Sequence, residues 1–198
     1  MIKGAAISMA IKFIATCLNN EQQKACTSLG IELTTNCYAK SYGEITHGCI
    51  TDFSVHCFNS KALEVFKNLG VERATLHPEL NLAQIRDINK CIDTEVVIYG
   101  KIPMMVIGSL QQEFSSKNNI VDRTGASFFI NGNVLYNSVP IFMADKLAEI
   151  DKTGITHGRL IFTTENYDDV RAVIKANMYR KRLKPDIEFT RGKYYSKV

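Results

Sequence analysis

Several features are absent from the sequence, and each absence restricts the class of protein that it can encode. It contains no tryptophan and only four prolines, and no apolar run is long enough to cross a bilayer. Residues 1–10 carry one lysine and show neither a clear apolar core nor a cleavage site, so we do not expect a signal peptide. We therefore expect a cytoplasmic protein with no membrane partner.

The signatures of several common enzyme classes are also missing. The sequence has no P-loop, no G-x-G-x-x-G, no H-E-x-x-H and no G-x-S-x-G. Six cysteines are present, but none forms a C-x-x-C pair, so their spacing gives no support to a zinc site. We expect buried, reduced thiols, no metal and no cofactor.

The composition is that of a globular protein, but the charge is uneven. The 198 residues are 45% hydrophobic and 22% charged, with a net charge of +4. Residues 171–198 hold nine Lys and Arg against two acidic residues, so this segment is +7 and the remainder is −3 (4 − 7). Such a segment indicates either an anionic partner such as RNA or a solvated helix with a basic end that suits the helix dipole.

Residues 52–80 organise the chain. Alternating apolar residues predict a strand at 53–57, followed by a helix that Ser60 can cap. Gly70 is placed for a left-handed helix stop, and a second strand is predicted at 71–76. Strand, crossover helix and strand form a right-handed parallel βαβ unit, whose sites form in the loops at the carboxyl ends of the strands.

The remaining pattern continues this alternation. We predict strands at 12–17, 31–36, 95–99 and 159–163, helices at 21–29 (capped by Asn20), 82–91 and 139–150, a last helix from Asn166 to Pro185, a loop at 38–48, and an extended tail from Thr190. A β-rich insert is predicted around residues 108–138. These strands are too few for a closed eight-stranded barrel. The prediction is one α/β domain over residues 1–198, a parallel βα-repeat forming a partial TIM-barrel-like fold.

Five segments resemble the collagenase-like peptidase family, peptidase family U32, in sequence order. They are 52–80 (ending in HPEL), 99–105 (YGKIPMM), 122–125 (DRTG), 136–140 (YNSVP) and 189–198 (FTRGKYYSKV). Members of the family generally begin further upstream, so the chain resembles a short or truncated member. The resemblance implies a peptidase or hydrolase label, and other relatives take part in hydroxylating tRNA, ribosomal RNA or ubiquinone.

The resemblance does not carry an iron–sulfur cluster to this chain. In characterised relatives, cysteines after the first apolar run and around the later β insert hold the cluster. The corresponding regions here, around Gly108 and Ser109 and at 131–134, contain no cysteine. Gly, Ser and Asn do not replace thiolate ligands. The transfer of redox activities from the relatives is weakened for the same reason.

The catalytic candidates lie at predicted strand ends. His77 and Glu79 could perform acid–base chemistry together. Alternatively, His77 only ends a strand and Glu79 is a favourable charge in a first helical turn. Glu165 is the third candidate, with a pre-cap carboxylate as its alternative.

The substrate-binding candidates are Asn59, Arg123, Asn137 and Arg159. Asn59 could orient a substrate or close an Asx turn, and Arg123 could bind an anion or pair with its neighbour Asp122. Three functions stay open on this evidence. The chain is a collagenase-like peptidase family protein of underived activity, an RNA-modification factor or its accessory subunit, or a non-catalytic partner that completes a related barrel. A homo-oligomer or a complex with a related chain is expected from the incomplete barrel.

Overall fold

The computed structural model describes residues 11–34, 38–107, 119–123, 125–183 and 188–197. The strands are β1 Lys12–Thr16, β2 Glu32–Leu33, β3 Tyr38–Ala39, β4 Ile50–Thr51, β5 Arg73–Thr75, β6 Asp93–Gly100, β7 Pro103–Val106, β8 Asn119–Val121, β9 Ser127–Asn131, β10 Val134–Asn137, β11 Ile141–Phe142 and β12 His157–Ile161. The α-helices are α1 Asn20–Ser28, α2 Ser60–Asn68, α3 Leu82–Asp87, α4 Leu147–Asp151 and α5 Tyr167–Met178.

A curled parallel sheet forms a half-barrel. Its strands pair in the order β2-β1-β12-β6-β5-β4-β3, and β11 adds an antiparallel pair at the end of β6. The mixed α/β class and the partial barrel are thereby confirmed. Both edge strands of the parallel path, β2 and β3, are only two residues long, and short edges offer little backbone to another chain.

The central strand β6 is buried on both faces, as predicted from its apolar run. Val96 and Ile98 join the main core between sheet and helices, where Phe66 of α2 and Ile174 of α5 are fully buried. Val97 points to the other face and joins a second, smaller cluster with Phe53 and Ile161. The half-barrel therefore has a large outer core and a small inner one.

A four-stranded antiparallel sheet, ordered β7-β10-β9-β8, occupies much of the region where a β-rich insert was predicted. Its first strand, β7, was not predicted. The insert follows β6 and returns to the half-barrel through β11, so it stands beside the carboxyl ends of the parallel strands. A polar loop was predicted at residues 108–119; residues 108–118 lie outside the described residues, and Asn119 begins β8.

Two helix caps differ by one residue from the prediction. Asn59, not Ser60, caps α2, because the Asn59 side chain accepts a hydrogen bond from the Ala62 N–H at 2.9 Å. Asn19, rather than Asn20, caps α1 in the same way. Gly70, with φ +77°, confirms the predicted left-handed position after α2. Adjacent Asn–Ser and Asn–Asn pairs offer two cap residues, and sequence alone cannot rank them.

Three predicted segments are wrong in type. The strand predicted at 53–57 is a 3-10 turn, Phe53–Val55, after β4 has ended. The loop predicted at 38–48 begins with β3, and the helix predicted at 139–150 is β11, a 3-10 turn at Ala144–Lys146 and the short α4. Buried and exposed residues also alternate in a tight turn that packs on a sheet. The two-residue alternation at 53–57 therefore did not distinguish a turn from a strand.

The last helix and the C-terminal segment also depart from the prediction. Helix α5 begins after Asn166, as predicted, in a capping box with Asp169, but it ends at Met178 instead of Pro185. The tail is not simply extended, because Thr190 bridges to Ile141 and turns follow it. Among the described helices, none has both the length and the apolar character needed to cross a membrane.

Candidate functional site

A cleft of about 780 Å³ opens where the carboxyl ends of β4 and β5 meet the four-stranded sheet. Its walls come mainly from residues 53–56, 77–79, 102–106 and 190–196. Ligand sites of parallel α/β sheets form at this end of the strands. A pocket of roughly 300–1,000 Å³ accepts a small molecule or a short chain segment, so the cleft has the size of a binding site.

Three aromatic rings stand together at the strand ends, and two of them, His56 and His77, line the cleft. The ring centroids of His56 and His77 lie 5.3 Å apart, and those of Phe58 and His77 lie 4.3 Å apart. His56 ends the 3-10 turn with φ 60°, a left-handed conformation that costs energy for a residue with a Cβ. The turn thus places an imidazole at the rim of the cleft.

The protonation state of His77 follows from its surroundings. Its Nδ1 accepts a hydrogen bond from the backbone N–H of Glu79 at 3.3 Å. Burial lowers the pKa of His77; Glu79 raises it, His56 lowers it, and the net shift is downward. The imidazole is therefore neutral at neutral pH, with its proton on Nε2. In that state Nε2 donates a hydrogen bond and does not accept a proton.

One wall of the cleft is the edge strand β7. Its outer residues Met104, Met105 and Val106 are 58%, 59% and 70% exposed. The register with β10 shifts between Leu135 and Tyr136, so Met104 is an extra residue in the strand. Such a bulge breaks the two-residue alternation and redirects side chains beside binding sites. Three successive apolar side chains are exposed as a result.

The opposite wall is the C-terminal segment, which the body holds firmly. Arg191 donates to both carboxylate oxygens of Asp145, at 2.6 and 2.9 Å, and to the carbonyl of Phe142 at 2.6 Å. The buried Tyr194 hydroxyl donates to the Val97 carbonyl at 2.6 Å. Lys193 lines the cleft and lies between Arg191 and Tyr194, the two residues that these contacts anchor.

The Asp145 carboxylate ties the basic segment to the body electrostatically. Burial raises the pKa of Asp145, but hydrogen bonds from Arg191 and Arg182 outweigh it and bring the pKa to about 2. Arg180 forms a further ion pair with Asp151 at 2.6 Å. Among the described basic residues of this segment, Arg180, Arg182 and Arg191 therefore pair with carboxylates of the body.

A second polar centre is buried on the inner face of the half-barrel. The Arg159 guanidinium pairs with Asp52, and its Nε donates to the Thr16 hydroxyl at 3.1 Å. Its carbon lies 4.1 Å from the centre of the Tyr38 ring. Burial disfavours the charge, but Tyr38, Asp52 and Glu95 outweigh this and raise the pKa of Arg159.

The Glu95 carboxylate balances the positive charge of Arg73, the second buried arginine of this centre. This carboxylate accepts hydrogen bonds from the Tyr38 hydroxyl and the Thr75 hydroxyl, both at 2.7 Å. The Arg73 Nε lies 3.0 Å from its second oxygen, an ion pair without the angles of a hydrogen bond. Two arginines and two carboxylates make this centre neutral overall, as a buried charge cluster requires.

The structure separates the sequence-predicted site residues into two groups. His77, Glu79 and Asn137 line the cleft. Outside it, Asn59 caps α2, Arg123 is exposed in the turn between β8 and β9, and Arg159 belongs to the buried centre.

Glu165 is buried after β12, and hydrogen bonds within the protein occupy its carboxylate. Its carboxylate accepts from the Tyr99 hydroxyl at 3.0 Å and from the Thr163 N–H at 2.6 Å. Sequence reasoning missed the exposed wall of Met104 and Met105, and it missed Lys193. The apolar YGKIPMM run was visible, but its exposure depends on pairing with β10.

The residues present do not fit an iron–sulfur cluster. Residues 131–134 form the turn between β9 and β10 and offer no thiolate, and Gly108 and Ser109 lie outside the described residues. Within the described ranges, no three His, Cys, Asp or Glu side chains are grouped to hold a metal ion.

The fold is an α/β half-barrel with a cleft at the carboxyl ends of its parallel strands. A family model described as Peptidase family U32 matches residues 50–116. This match confirms the resemblance read from the sequence and supports membership of peptidase family U32. No curated protein and no solved structure matches the chain.

The matched segment and the cleft coincide. Of the seventeen described residues that line the cleft, eleven fall within 50–116, at 53, 54, 56, 77–79 and 102–106. The family segment therefore supplies most of the cleft wall, and the C-terminal segment supplies much of the remainder.

Proposed function

We propose that the cleft binds an extended, apolar segment of a polypeptide chain. Peptide binding would then be the function of this protein, which resembles peptidase family U32. The observation that carries the proposal is the position of β7: an exposed apolar sheet edge forms one wall of the cleft.

The backbone of β7 supports an extended ligand. The strand pairs with β10 on one side and is the last strand of its sheet on the other, within the described residues. An edge strand presents unpaired N–H and C=O groups, and extended peptides bind such edges by adding a strand. The bulge at Met104 limits this pairing to a short stretch, which favours a peptide segment over a second sheet.

The side chains around the cleft support an apolar ligand. Met104, Met105 and Val106 form an exposed apolar patch, and Phe53 and Ile102 line the same cleft. Contiguous exposed apolar surface marks interaction sites in soluble proteins. Flexible methionines suit a site that accepts varied side chains.

His77 supplies a polar contact for the ligand backbone. With Nδ1 occupied by the Glu79 N–H, the neutral ring donates from Nε2. A carbonyl oxygen of a bound peptide is the matching acceptor. Lys193 offers a positive charge on the facing wall.

The contacts favour binding over cleavage by a serine of the cleft. The Ser54 hydroxyl lies 2.9 Å from the Lys40 carbonyl and 3.1 Å from an Asp52 oxygen, so its proton is already directed to these acceptors. A nucleophilic serine needs a base within hydrogen-bond reach that is free to take its proton, and the Asp52 carboxylate is already paired with Arg159. Hydrolysis of the bound peptide is a separate activity, which can be measured in the same experiment as binding.

Fluorescence anisotropy with labelled peptides of about ten residues tests the proposal. A peptide with alternating valine and leucine should bind saturably, and a serine and glutamate peptide of equal length should not. Alternate N-methylation of the apolar peptide removes its N–H donors and should weaken binding about tenfold. Equal binding of all three would contradict an edge-strand site. Mass spectrometry of the incubated peptides reports any cleavage separately.

The open half-barrel favours a second candidate, a partner that completes a TIM-barrel-like sheet. Edge strands β2 and β3 are not paired with each other, within the described residues. A second copy or a related chain could cover these edges. Light scattering after size exclusion should then give a multiple of the 22.2 kDa chain mass. A monodisperse monomer at high concentration would remove this candidate.

No contact among the described residues favours the predicted role in RNA modification. Three arginines of the basic segment, Arg180, Arg182 and Arg191, are paired with carboxylates. A nucleic-acid retention assay at low and high salt tests it directly, because binding through Lys and Arg falls steeply with salt.

A further inference from the structure

Two thiols meet at the carboxyl end of β1. Cys17 directly follows β1 and Cys26 lies on α1, and their Sγ atoms are 3.5 Å apart. Sulfurs in a disulfide lie about 2.05 Å apart, so the two Sγ atoms must approach by about a further 1.5 Å, the difference between these distances. The peptidase family match at 50–116 does not include this pair.

The two thiols are not equivalent. Cys26 is fully buried, whereas Cys17 is half-buried and in reach of small molecules. The hydrogen bond with Cys26 lowers the pKa of Cys17, although burial and Glu165 raise it. The same bond, together with burial, raises the pKa of Cys26. Cys17 therefore ionises first, and the thiolate is the form that reacts with oxidants.

We propose that Cys17 and Cys26 form a redox site, in which Cys17 reacts with a peroxide and Cys26 completes a reversible intramolecular disulfide. The reaction has two steps. First, the Cys17 sulfur attacks one peroxide oxygen, the O–O bond breaks, and the departing hydroxide takes up a proton, which leaves a sulfenic acid and water. Then the Cys26 sulfur attacks the Cys17 sulfur, the S–O bond breaks, and the hydroxide leaves as water with the Cys26 proton.

The balance closes on the two thiols and one peroxide. Two thiols lose two electrons and two protons, and the peroxide takes them up to give two waters. A low-molecular-weight disulfide replaces the peroxide without changing the end point, because thiol exchange first makes a mixed disulfide at Cys17, which Cys26 then displaces. External dithiols reverse either route.

The disulfide would join the residue after β1 to α1. It would lie close to Gln22, whose side chain already links α1 to the segment after β12. Between the two cysteines, Gln22 donates through Nε2 to the Thr163 carbonyl at 3.2 Å and to the Glu165 carbonyl at 2.9 Å. A cross-link across 17–26 restrains the unfolded chain and so raises the thermal midpoint of the oxidised protein.

Peptide mapping of the full chain tests the site. The protein is treated with hydrogen peroxide or oxidised glutathione, remaining thiols are capped with N-ethylmaleimide, and the product is digested with trypsin without reduction. Cleavage after Lys24 gives peptides 13–24 and 25–40, which carry Cys17 and Cys26 respectively. We expect the intact oxidised protein, before capping, to be lighter by about 2 Da from the loss of two hydrogens. We expect the two peptides to be joined after digestion and separated by dithiothreitol.

Peptide 25–40 also contains Cys37, so a matched variant is needed. Cys37→Ser should keep the cross-link and Cys26→Ser should abolish it. Cys91→Ser, which removes another half-buried thiol, should change nothing. An absent cross-link in the wild-type protein with both oxidants, or one that survives Cys26→Ser or disappears in Cys37→Ser, overturns the proposal. If a variant fails to fold, fragmentation of the joined wild-type peptides in the mass spectrometer shows whether Cys26 or Cys37 carries the link.

Discussion

The Arg159 guanidinium lies between the Asp52 carboxylate and the face of the Tyr38 ring, whose centre is 4.1 Å from its carbon. Asp52 follows β4 and Arg159 lies on β12, at opposite sides of β6 in the sheet order. This contact therefore spans the concave side of the half-barrel. In a closed barrel this side would be an interior packed with mostly apolar side chains, whereas here charged residues of the chain occupy it.

Arg159→Met should be strongly destabilising. The substitution leaves the Asp52 carboxylate, which is 7% exposed as a residue, without its cation. Removing one partner of a buried ion pair costs about 3–5 kcal/mol, read from urea unfolding. Arg86→Ala, which removes an exposed ion pair, should cost less than about 1 kcal/mol. Equal effects of the two substitutions would show that the Arg159 pair is not buried in solution.

Asn59→Ala should lower stability modestly and leave peptide binding unchanged. The Asn59 side chain accepts from the Ala62 N–H, and loss of such a cap costs about 1 kcal/mol. Asn59→Asp keeps an acceptor at the same place and should be close to the wild-type protein. Thermal melts and anisotropy separate the two effects. A binding defect with an unchanged melt would instead assign Asn59 to the site, as its substrate-binding prediction requires.

The Asp145 link should make stability depend on pH in the acid range. The pKa of Asp145 is lowered from 3.8 to about 2, so the folded state favours the ionised form. Its stabilisation is fully present above the unfolded pKa and is lost as pH falls through the folded pKa. The stability gap between the wild-type protein and Asp145→Asn should be constant above about pH 5 and close as pH falls towards about 2. Urea midpoints measured at several pH values give the gap, and a constant gap down to pH 2 would contradict the link.

Local signals predicted a large part of the fold. The apolar run of β6, the Asn166 cap of α5 and the Gly70 stop after α2 each depend on a few neighbouring residues, and each is present. The turn at Phe53–Val55 was predicted as a strand, because alternation does not distinguish a strand from a turn whose residues pack on a sheet.

The candidate site was predictable only in part. The rule that sites lie at strand ends led to His77 and Glu79, which line the cleft. The β7 wall was not predictable, because its exposure follows from pairing with β10 some thirty residues further along the chain. Arg159 and Glu165 look like site residues in the sequence, and their buried partners become visible only in three dimensions.

The most direct test of the central claim compares one substitution at the two ends of the same small sheet. Met105 lies on β7 in the cleft wall, and Val121 lies on β8 at the opposite edge, and both are similarly exposed, at 59% and 63%. Met105→Lys places a charge in the proposed apolar site and should weaken anisotropy-measured binding of the valine–leucine peptide by about tenfold or more, whereas Val121→Lys should leave it unchanged. Equal binding by both variants, with unaltered melts, would contradict a polypeptide site at β7.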